Sequence, residues 1–207
     1  MEITLTWARV RKAGCLHHPV RPKEAAAVIG TTLESHPSVV LSGQETVVIA
    51  RNVQIGKSFV LNKRLTPLLL AAGKNVYSLD LGQLPGIAGA PLDEGLWVSV
   101  AREEQELTRV VTQIPPADVL LVDEVHLLLP LLKNELGDES MAAYNRVVTL
   151  LWRRLGRLSV DGSKMVFATA AHPHASYYQG FNYIPEMSLF FSAPVVELPA
   201  WPPGVMA

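Results

Sequence analysis

The stretch Val47-Val-Ile-Ala-Arg-Asn-Val-Gln-Ile-Gly-Lys-Ser58 decides the fold. Its first four residues are apolar and mainly β-branched, which predicts a short buried strand. Gly56-Lys57-Ser58 then opens a helical pattern that ends at Gly73. Between a strand and a helix these residue types suit a phosphate group, because a lysine and the backbone N–H groups of a helix N-terminus both attract the anion. The residues expected to contact a nucleotide are Val53, Gln54, Ile55, Gly56, Lys57, Ser58 and Phe59.

One position departs from the usual phosphate loop. That loop reads Gly-x-x-x-x-Gly-Lys-Ser/Thr, and Arg51 stands where the first glycine is expected. A bulky side chain at this position can obstruct a turn that glycine permits. Two interpretations therefore stay open: a site that hydrolyses nucleotide, and a site that binds nucleotide without turnover.

The second motif is Val119-Leu-Leu-Val-Asp123-Glu124, in which two carboxylates end a buried strand. This is the Walker B pattern, whose aspartate holds Mg²⁺ and whose glutamate polarises an attacking water. We expect Ser58 and Asp123 to bind Mg²⁺, and Lys57 and Glu124 to be catalytic. An acidic cap at the end of a buried strand would also explain Asp123 taken alone. The two motifs together, in this order, predict a P-loop NTPase fold.

Strand-like and helix-like segments alternate from residue 46 onward. Strands are expected over residues 47–50, 75–81, 96–100, 119–123 and 164–169, with one or two more in 187–198. The helix after Ser58 is expected to bend at Pro67 and to bury Leu61, Leu65, Leu68, Leu69 and Ala72, and further helices are expected over 103–113 and 138–158. The alternation predicts an α/β protein with the three-layer, RecA-like P-loop NTPase fold, in which helices flank a mostly parallel central sheet.

The chain is expected to have one main domain. A less periodic lead-in covers residues 1–45, with a strand expected over 3–10 and a helix over 25–33. The NTPase core follows over 46–198, and a proline-rich tail covers 199–207. This division places both motifs in the core.

Composition excludes several classes of protein. A hydrophobic fraction of 49 % and a charged fraction of 18 % exclude a disordered chain, and a net charge of −1 excludes a wholly basic nucleic-acid coat protein. Cys15 is the single cysteine, so no intramolecular disulfide forms and a reducing compartment fits best. The longest apolar stretch, 119–132, contains Asp123, Glu124 and His126, so we expect no stable membrane insertion and a cytoplasmic location.

The order of these motifs carries a resemblance to a known family. After Asp123-Glu124 the sequence has a long helix with Trp152-Arg-Arg-Leu-Gly-Arg157, and then Phe167-Ala-Thr169. This order resembles the additional-strand ATPases, and within them the FtsK/HerA-like group that includes the genome-packaging ATPases of membrane-containing icosahedral viruses. Members of that group usually have a glycine-rich phosphate loop, whereas this chain has Arg51 at the first glycine position. They also usually have a glutamine just after the strand that here ends in Phe167-Ala-Thr169, whereas this chain has Ala170-Ala171-His172.

The resemblance implies an ATPase that cleaves the β–γ phosphoanhydride bond with ATP and Mg²⁺. It also implies a homo-oligomeric ring that translocates double-stranded DNA, with single-stranded nucleic acid as the alternative, at a viral capsid vertex in the host cytoplasm or the virion. Thr169 would sense the γ-phosphate, and Arg153 or Arg157 would reach a neighbouring subunit's nucleotide as an arginine finger.

Purely structural interpretations of Thr169 and of the arginines also stay open. Thr169 also fits a purely structural residue at a strand end, and Arg146, Arg153 and Arg157 also fit a solvated helix face. Asp123-Glu-Val-His126 further resembles the DExH box of superfamily-2 helicases, which need about twice this length. A nucleotide-binding scaffold subunit and a RecA-like recombination accessory protein remain alternatives for the whole chain.

Overall fold

A parallel sheet forms the centre of the molecule. The computed structural model describes residues 46–50, 56–88, 90, 95–131, 139–173, 175, 178 and 181–197. Its strands are β1 (Thr46–Ala50), β2 (Val76–Asp80), β3 (Val119–Asp123), β4 (Lys164–Thr169) and β5 (Val195–Glu197). They lie in the order β2-β3-β4-β1-β5, and each neighbouring pair is parallel. The expected mostly parallel α/β sheet is confirmed.

Helices cover both faces of this sheet. The helical segment after Gly56 consists of α1 (Lys57–Phe59), a π-helical segment (Val60–Leu65) and α2 (Thr66–Ala71). The remaining helices are α3 (Leu96–Arg102), α4 (Glu104–Thr112), α5 (Glu139–Val160) and α6 (Ser188–Phe191). Short 3₁₀ turns occupy Leu81–Gln83, Val125–Leu127 and Pro185–Met187.

Alternate residues of each strand are buried on opposite faces of the sheet, in two separate hydrophobic cores. The sheet and the helices on its two faces therefore form three layers. Val47 and Ile49 pack with Leu61 and Leu65 from the segment after Gly56. Val48 and its equivalents on the other strands pack beneath α4, α5 and α6. Because successive side chains of a strand point to opposite faces, a sheet covered on both sides needs the continuous apolar runs seen in the sequence.

An aromatic group anchors α5 to the sheet. Trp152 on α5 lies 5.9 Å, centroid to centroid, from Phe167 on β4 and 6.2 Å from Phe190 on α6. Its indole N–H donates to the carbonyl of Leu128 at 3.0 Å. Burying each of these rings contributes about 1.5–3 kcal/mol, so α5 is fixed firmly behind the segment that follows β3.

The strand order brings the two motifs to one edge. β4 pairs with both β1 and β3, so it separates the strand before Gly56 from the strand that ends in Asp123. Because the carboxyl ends of parallel strands meet at the same edge, Gly56-Lys57-Ser58 and Asp123-Glu124 face the same crevice. This arrangement, with an extra strand between the two motif strands, is the three-layer P-loop NTPase fold.

The expectation of a strand over residues 96–100 was wrong. These residues form α3, which begins when the Gly95 carbonyl accepts the N–H groups of Val98 at 2.9 Å and Ser99 at 3.4 Å. The β-branched Val98 and Val100 gave the strand signal. Burial instead follows a helical spacing, since Ser99 and Val100 are buried while Trp97 is exposed, so tertiary packing overrode local propensity.

The apolar face predicted for the segment after Ser58 was partly wrong. Leu61, Leu65 and Leu69 are buried as expected, but Leu68 is 42 % exposed and Ala72 is also exposed. The π-helical segment explains the difference: the Thr66 N–H donates to the Leu61 carbonyl five residues earlier. One such turn rotates the following residues by roughly one position around the axis.

Other expectations have mixed outcomes. The strands over 47–50, 75–81, 119–123 and 164–169 and the helices over 103–113 and 138–158 match within two residues. Segment 187–198 contains α6 and one strand, β5. The elements expected over 3–10 and 25–33, and the tail over 199–207, lie outside the described residues. Among the described helices, none combines the length and apolarity needed to cross a bilayer.

Candidate active site

Gly56 lies directly before α1, and its backbone makes the turn into that helix. Its backbone lies in the left-handed region, at φ 81° and ψ 24°, which glycine adopts without the steric cost of a side chain. Its carbonyl accepts the N–H of Val60 at 2.9 Å, so the turn leads directly into the helical segment. Lys57 and Ser58 are thereby placed at the carboxyl edge of the sheet.

Lys57 is a buried cation at this edge. Only 5 % of the residue is exposed, and this desolvation lowers the pKa of its ammonium group. The nearby carboxylates of Glu124 and Asp123 act in the opposite direction and favour the charged form. An ammonium group at this edge attracts negative charge, which phosphate oxygens would supply.

Asp123 is the most buried charged residue of the site. It is 2 % exposed; its Oδ1 accepts the N–H of Glu124 at 2.9 Å, whereas its buried Oδ2 has no hydrogen-bond partner among the described residues. Burial raises the pKa of Asp123, and the Ser58 hydroxyl, the Glu124 N–H and the charge of Lys57 oppose that shift. A buried oxygen left without a partner costs about 1–3 kcal/mol, which a cation would offset.

The residues present fit Mg²⁺. This ion prefers oxygen ligands and is usually held by one or two protein groups, with phosphates and water completing its shell. The Ser58 hydroxyl and the orphaned Asp123 Oδ2 are oxygen ligands of this kind. In the described part of the chain no group of three or more His, Cys, Asp or Glu side chains forms a closed metal cage. Ser58 and Asp123 would supply two of the oxygen ligands of an ion bound here.

Glu124 is held in a strained conformation. Its φ is 57°, and it is the only non-glycine residue with positive φ among those described. Such a backbone costs roughly 1–2 kcal/mol. Burial raises the pKa of Glu124, the charges of Asp123 and Asp80 raise it further, and Lys57 opposes them. A carboxylate with a raised pKa is better suited to take a proton from water.

Asp80 is a third carboxylate that the sequence analysis missed. It ends β2 directly opposite Asp123 in the register of the two strands. Burial raises the pKa of Asp80, as does the charge of Asp123, while a hydrogen bond from the Gly82 N–H to Oδ1, 2.9 Å long, lowers it. The available signal was that the strand predicted over 75–81 has an aspartate, Asp80, as its next-to-last residue.

His126 is a second residue that sequence reasoning left without a role. Its side chain is 17 % exposed, and its Nδ1 lies 3.4 Å from Oε2 of Glu124. The same Nδ1 accepts the backbone N–H of Ala170, which follows β4, at 3.3 Å. Burial lowers the pKa of His126, and the positive charge of Lys57 lowers it further, so the neutral ring is favoured.

Thr169 is engaged inside the protein. It is fully buried, and its Oγ1 lies 2.6 Å from the hydroxyl of Tyr178. The Tyr178 hydroxyl also donates to the Ala171 carbonyl at 3.1 Å, and the Ala171 N–H donates to Thr169 Oγ1 at 3.4 Å. The Thr169 hydroxyl would have to leave this network to contact a phosphate, which favours the structural interpretation of this residue.

The three arginines of α5 singled out in the sequence differ in their surroundings. Arg146 is paired with Glu104 of α4 at 2.7 and 2.9 Å, so it is already committed to a partner. Arg153 and Arg157 are exposed and have no hydrogen bond or ion pair with a described residue. Arg153 lines a groove of about 580 Å³ between α4 and α5, with Asn145 and Thr108.

The other residues predicted to contact a nucleotide lie outside the described part of the chain or at the edge of the site. Val53, Gln54 and Ile55 lie outside the described residues, as does Arg51. Phe59 ends α1 and is half-buried. The residues that the structure brings together are therefore Lys57, Ser58, Asp123 and Glu124, joined by Asp80 and His126.

Comparisons with known proteins give distant matches. The chain is similar to a DNA replication initiation factor at 16 % identity and TM-score 0.49, covering 85 % of this chain and 45 % of that one. It is similar to AMPPCP-bound DnaA from Aquifex aeolicus at 15 % identity and TM-score 0.48, covering 86 % and 51 %. A chain of the E. coli MS115-1 HORMA:CdnC:Trip13 complex matches at 16 % identity and TM-score 0.40, covering 86 % and 57 %.

The chain spans about half the length of these solved structures. No protein-family model matches it, and no curated protein sequence matches it significantly. The class of the protein therefore rests on its own strand order and on the residues at the sheet edge. These define a P-loop NTPase fold.

Proposed function

We propose that the chain binds ATP with Mg²⁺ and hydrolyses the β–γ phosphoanhydride bond. The observation that carries this proposal is the buried Oδ2 of Asp123, which has no partner among the described residues and lies in a site with Ser58 and the buried ammonium of Lys57. A buried carboxylate oxygen without a hydrogen-bond partner, beside a desolvated ammonium, is suited to a metal–anion pair. A magnesium–triphosphate complex supplies both charges.

Each residue has a defined part in the proposed reaction. Lys57 binds the β- and γ-phosphate oxygens, and the backbone around Val53, Gln54, Ile55, Gly56 and Phe59 surrounds the phosphates. Ser58 and Asp123 would hold Mg²⁺, which would neutralise the charge that develops on the phosphates. The oxygen of a water molecule bonds to the γ-phosphorus while Glu124 accepts a proton from that water. The bond to the β–γ bridging oxygen breaks, and ADP and inorganic phosphate leave.

We further propose that hydrolysis drives a nucleic-acid motor. In its most specific form, subunits form a homo-oligomeric ring that translocates double-stranded DNA at a viral capsid vertex, in the host cytoplasm or the virion. Exposed Arg153 and Arg157 support this form, because an arginine finger or a DNA-phosphate contact requires a cation available at the surface. Thr169 is the proposed γ-phosphate sensor only if nucleotide draws its hydroxyl away from Tyr178.

The test is phosphate release from ATP, measured for the unmodified chain and for Glu124→Gln with and without double-stranded DNA. General-base catalysis typically contributes about 10²–10⁴-fold, so Glu124→Gln should lower kcat by that factor. Arg109→Ala is the matched control, because Arg109 pairs with Glu106 on the surface of α4, outside the site. Equal turnover in the unmodified chain and Glu124→Gln would contradict the catalytic proposal.

The same assay distinguishes the motor from its rival. Stimulation by double-stranded DNA beyond that by single-stranded DNA supports translocation of duplex. Absent turnover, combined with a rise in melting temperature on adding ATP, would identify a nucleotide-binding scaffold, the role that Arg51 suggested. Arg153→Ala and Arg157→Ala separate the finger candidates: the finger variant loses turnover at unchanged ATP affinity, and unchanged turnover in both removes the idea.

A further inference from the structure

Two strands lie at the edges of the described sheet, and their outer edges differ in protection. β5 is only three residues long and follows Pro194, and both features discourage pairing with another strand. β2 has five residues and pairs, among the described strands, with β3 alone. From Val76 to Leu79 it has no charged side chain, no proline and no bulge, the features that usually block an edge. The outer edge of β2 is therefore open to another strand.

The register shows which backbone groups of β2 face outward. Val76 lies opposite Val119, and the Val119 N–H donates to the Asn75 carbonyl at 3.1 Å. Because backbone groups alternate in direction along a strand, the odd-numbered residues of β2 direct their N–H and C=O groups toward β3. Val76, Ser78 and Asp80 direct theirs away from it, where no described strand pairs with them. A further strand would bind these groups.

Opposite charges stand at the two ends of this edge. Lys74 precedes β2 and is exposed, and Asp80 ends it. An antiparallel copy of β2 can pair so that Val76 faces the copy's Ser78. In that register, Lys74 of each copy faces Asp80 of the other. Opposite charges in such positions stabilise antiparallel strands, whereas like charges destabilise them. The charge pattern of β2 therefore fits a second copy of the same strand.

The helix that covers β2 adds apolar surface close to this edge. α2 packs against β2, and its Leu68 and Leu70 are 42 % and 56 % exposed. Val76 belongs to the hydrophobic core on the α2 side of the sheet, and Tyr77 packs on the other side. A second copy bound at β2 would bring its own α2 to the same face. Removing the exposed leucines from water would then add to the free energy of strand pairing.

We propose that two copies of the chain associate through β2, whose outer edges pair antiparallel and join the two sheets into one. The contact is isologous, so it closes at two copies, and it differs from the contacts of a ring, which join unlike surfaces. Lys74 of the second copy is then placed beside Asp80, which lies opposite Asp123. The second copy thereby adds a cation next to two carboxylates of the candidate site. This association does not require nucleotide hydrolysis and goes beyond the proposed function.

Sedimentation velocity of the full chain over a range of concentrations tests the association, and we expect a monomer–dimer equilibrium. Ser78→Pro removes an outward N–H and keeps the bonds to β3, so it should stay monomeric with the Tm of the dilute unmodified chain. Lys74→Glu sets carboxylates opposite each other at both ends of the contact and should raise the dimer Kd more than about tenfold.

Lys63→Glu is the matched control for Lys74→Glu, because Lys63 is also an exposed lysine but lies on the π-helical segment. It should dimerise like the unmodified chain. A monomer at every concentration would overturn the proposal. An association that Ser78→Pro and Lys74→Glu both leave unchanged would overturn it equally, because another surface or another partner would then be involved.

A cysteine cross-link tests the register. The two-fold axis sets Tyr77 opposite its own copy at a non-hydrogen-bonded position, where Cα atoms lie about 4.5 Å apart, close enough for a disulfide. In a chain with Cys15→Ser, Tyr77→Cys should form a covalent dimer on mild oxidation, and Lys63→Cys should not. The Tm of the reduced variant checks that Tyr77→Cys is folded. A cross-link in Lys63→Cys with none in folded Tyr77→Cys would refute this pairing.

Discussion

Asp80 and Asp123 lie directly opposite each other at the carboxyl ends of β2 and β3. Each is partly or fully buried, and the charge of Asp123 raises the pKa of Asp80. Two like charges held side by side in a site of low dielectric oppose folding. The sheet therefore stores electrostatic repulsion at the edge where the candidate active site lies.

Asp80→Asn should relieve this repulsion. The amide oxygen can still accept the Gly82 N–H, so the turn after β2 is preserved. We expect the free energy of unfolding at pH 7 to rise by roughly 0.5 kcal/mol, after allowing for the partial exposure of Asp80, which corresponds to about 1–2 °C in Tm.

The gain from Asp80→Asn should depend on pH in a defined direction. The folded-state pKa of Asp80 is raised, so the destabilisation is absent below its unfolded pKa, near 4, and develops as the pH rises through the folded value. Tm should thus differ between the two proteins at pH 7 and converge near pH 4. Glu106→Gln is the opposite control, because Arg109 lowers the pKa of Glu106. A difference in Tm that grows on acidification would contradict this prediction.

Asp123→Asn should remove the dependence of nucleotide binding on Mg²⁺. In the unmodified chain, a ligand at 100 times its Kd stabilises the folded state by about 2.7 kcal/mol, and we expect Mg²⁺ to increase this effect of ATP. In the variant, ATP with and without Mg²⁺ should shift Tm equally. Asp118→Asn is the matched control at the opposite end of β3, where Asp118 accepts the N–H of Asn75 at 2.7 Å. A persistent Mg²⁺ effect in Asp123→Asn would place the metal elsewhere.

Glu124→Gly should be more stable than Glu124→Ala. The residue has φ 57°, where alanine carries the steric cost of Cβ and glycine does not, so we expect a difference of roughly 1 kcal/mol in denaturant unfolding. Arg153, an exposed residue inside α5, should show the reverse order, with Ala more stable than Gly by about 1 kcal/mol. The same order at both positions would argue against a left-handed backbone at Glu124.

Trp152→Phe should destabilise the protein by about 2 kcal/mol. The substitution leaves the buried Leu128 carbonyl without its indole donor and opens space beside Phe167. Urea unfolding measures the change directly. Trp97→Phe is the matched control, since Trp97 is 37 % exposed, and it should stay within about 0.5 kcal/mol. Equal losses for the two tryptophans would mean that the Leu128 contact contributes nothing.

The sequence predicted the sheet well because its strands are buried on both faces. Continuous apolar runs such as Val119–Asp123 leave little choice of structure, and the residues around Lys57 and Asp123 carried their own chemical signal. The strand prediction for residues 96–100 was wrong because two valines favour a strand by local propensity. Packing against α5 determines instead that these residues form a helix. The exposure of Leu68 could not be predicted either, since it follows from the π-helical segment before it.

The two motifs of the candidate site could be predicted from the sequence, but the residues that surround them could not. Asp80 and His126 gain their place in the site from strand register and from a loop, which put them beside Asp123 and Glu124. Thr169 shows the opposite case: its position at a strand end was correctly predicted, but the Tyr178 hydroxyl that engages it comes from a later segment. Contacts between distant parts of the chain carry this information, and local patterns do not.

The central position of β4 also determines which substitutions the site can tolerate. Its backbone hydrogen bonds hold β1 and β3 about 9.5 Å apart, twice the usual strand spacing, whatever side chains it carries. Residues such as Val166 and Ala168 can therefore vary in sequence among related chains, provided that their volume is conserved, without moving Lys57 relative to Asp123. A one-residue slip of β4 would exchange its two faces and disrupt both cores at once. Natural variation in this strand should thus consist of substitutions, with insertions and deletions confined to the loops at its ends.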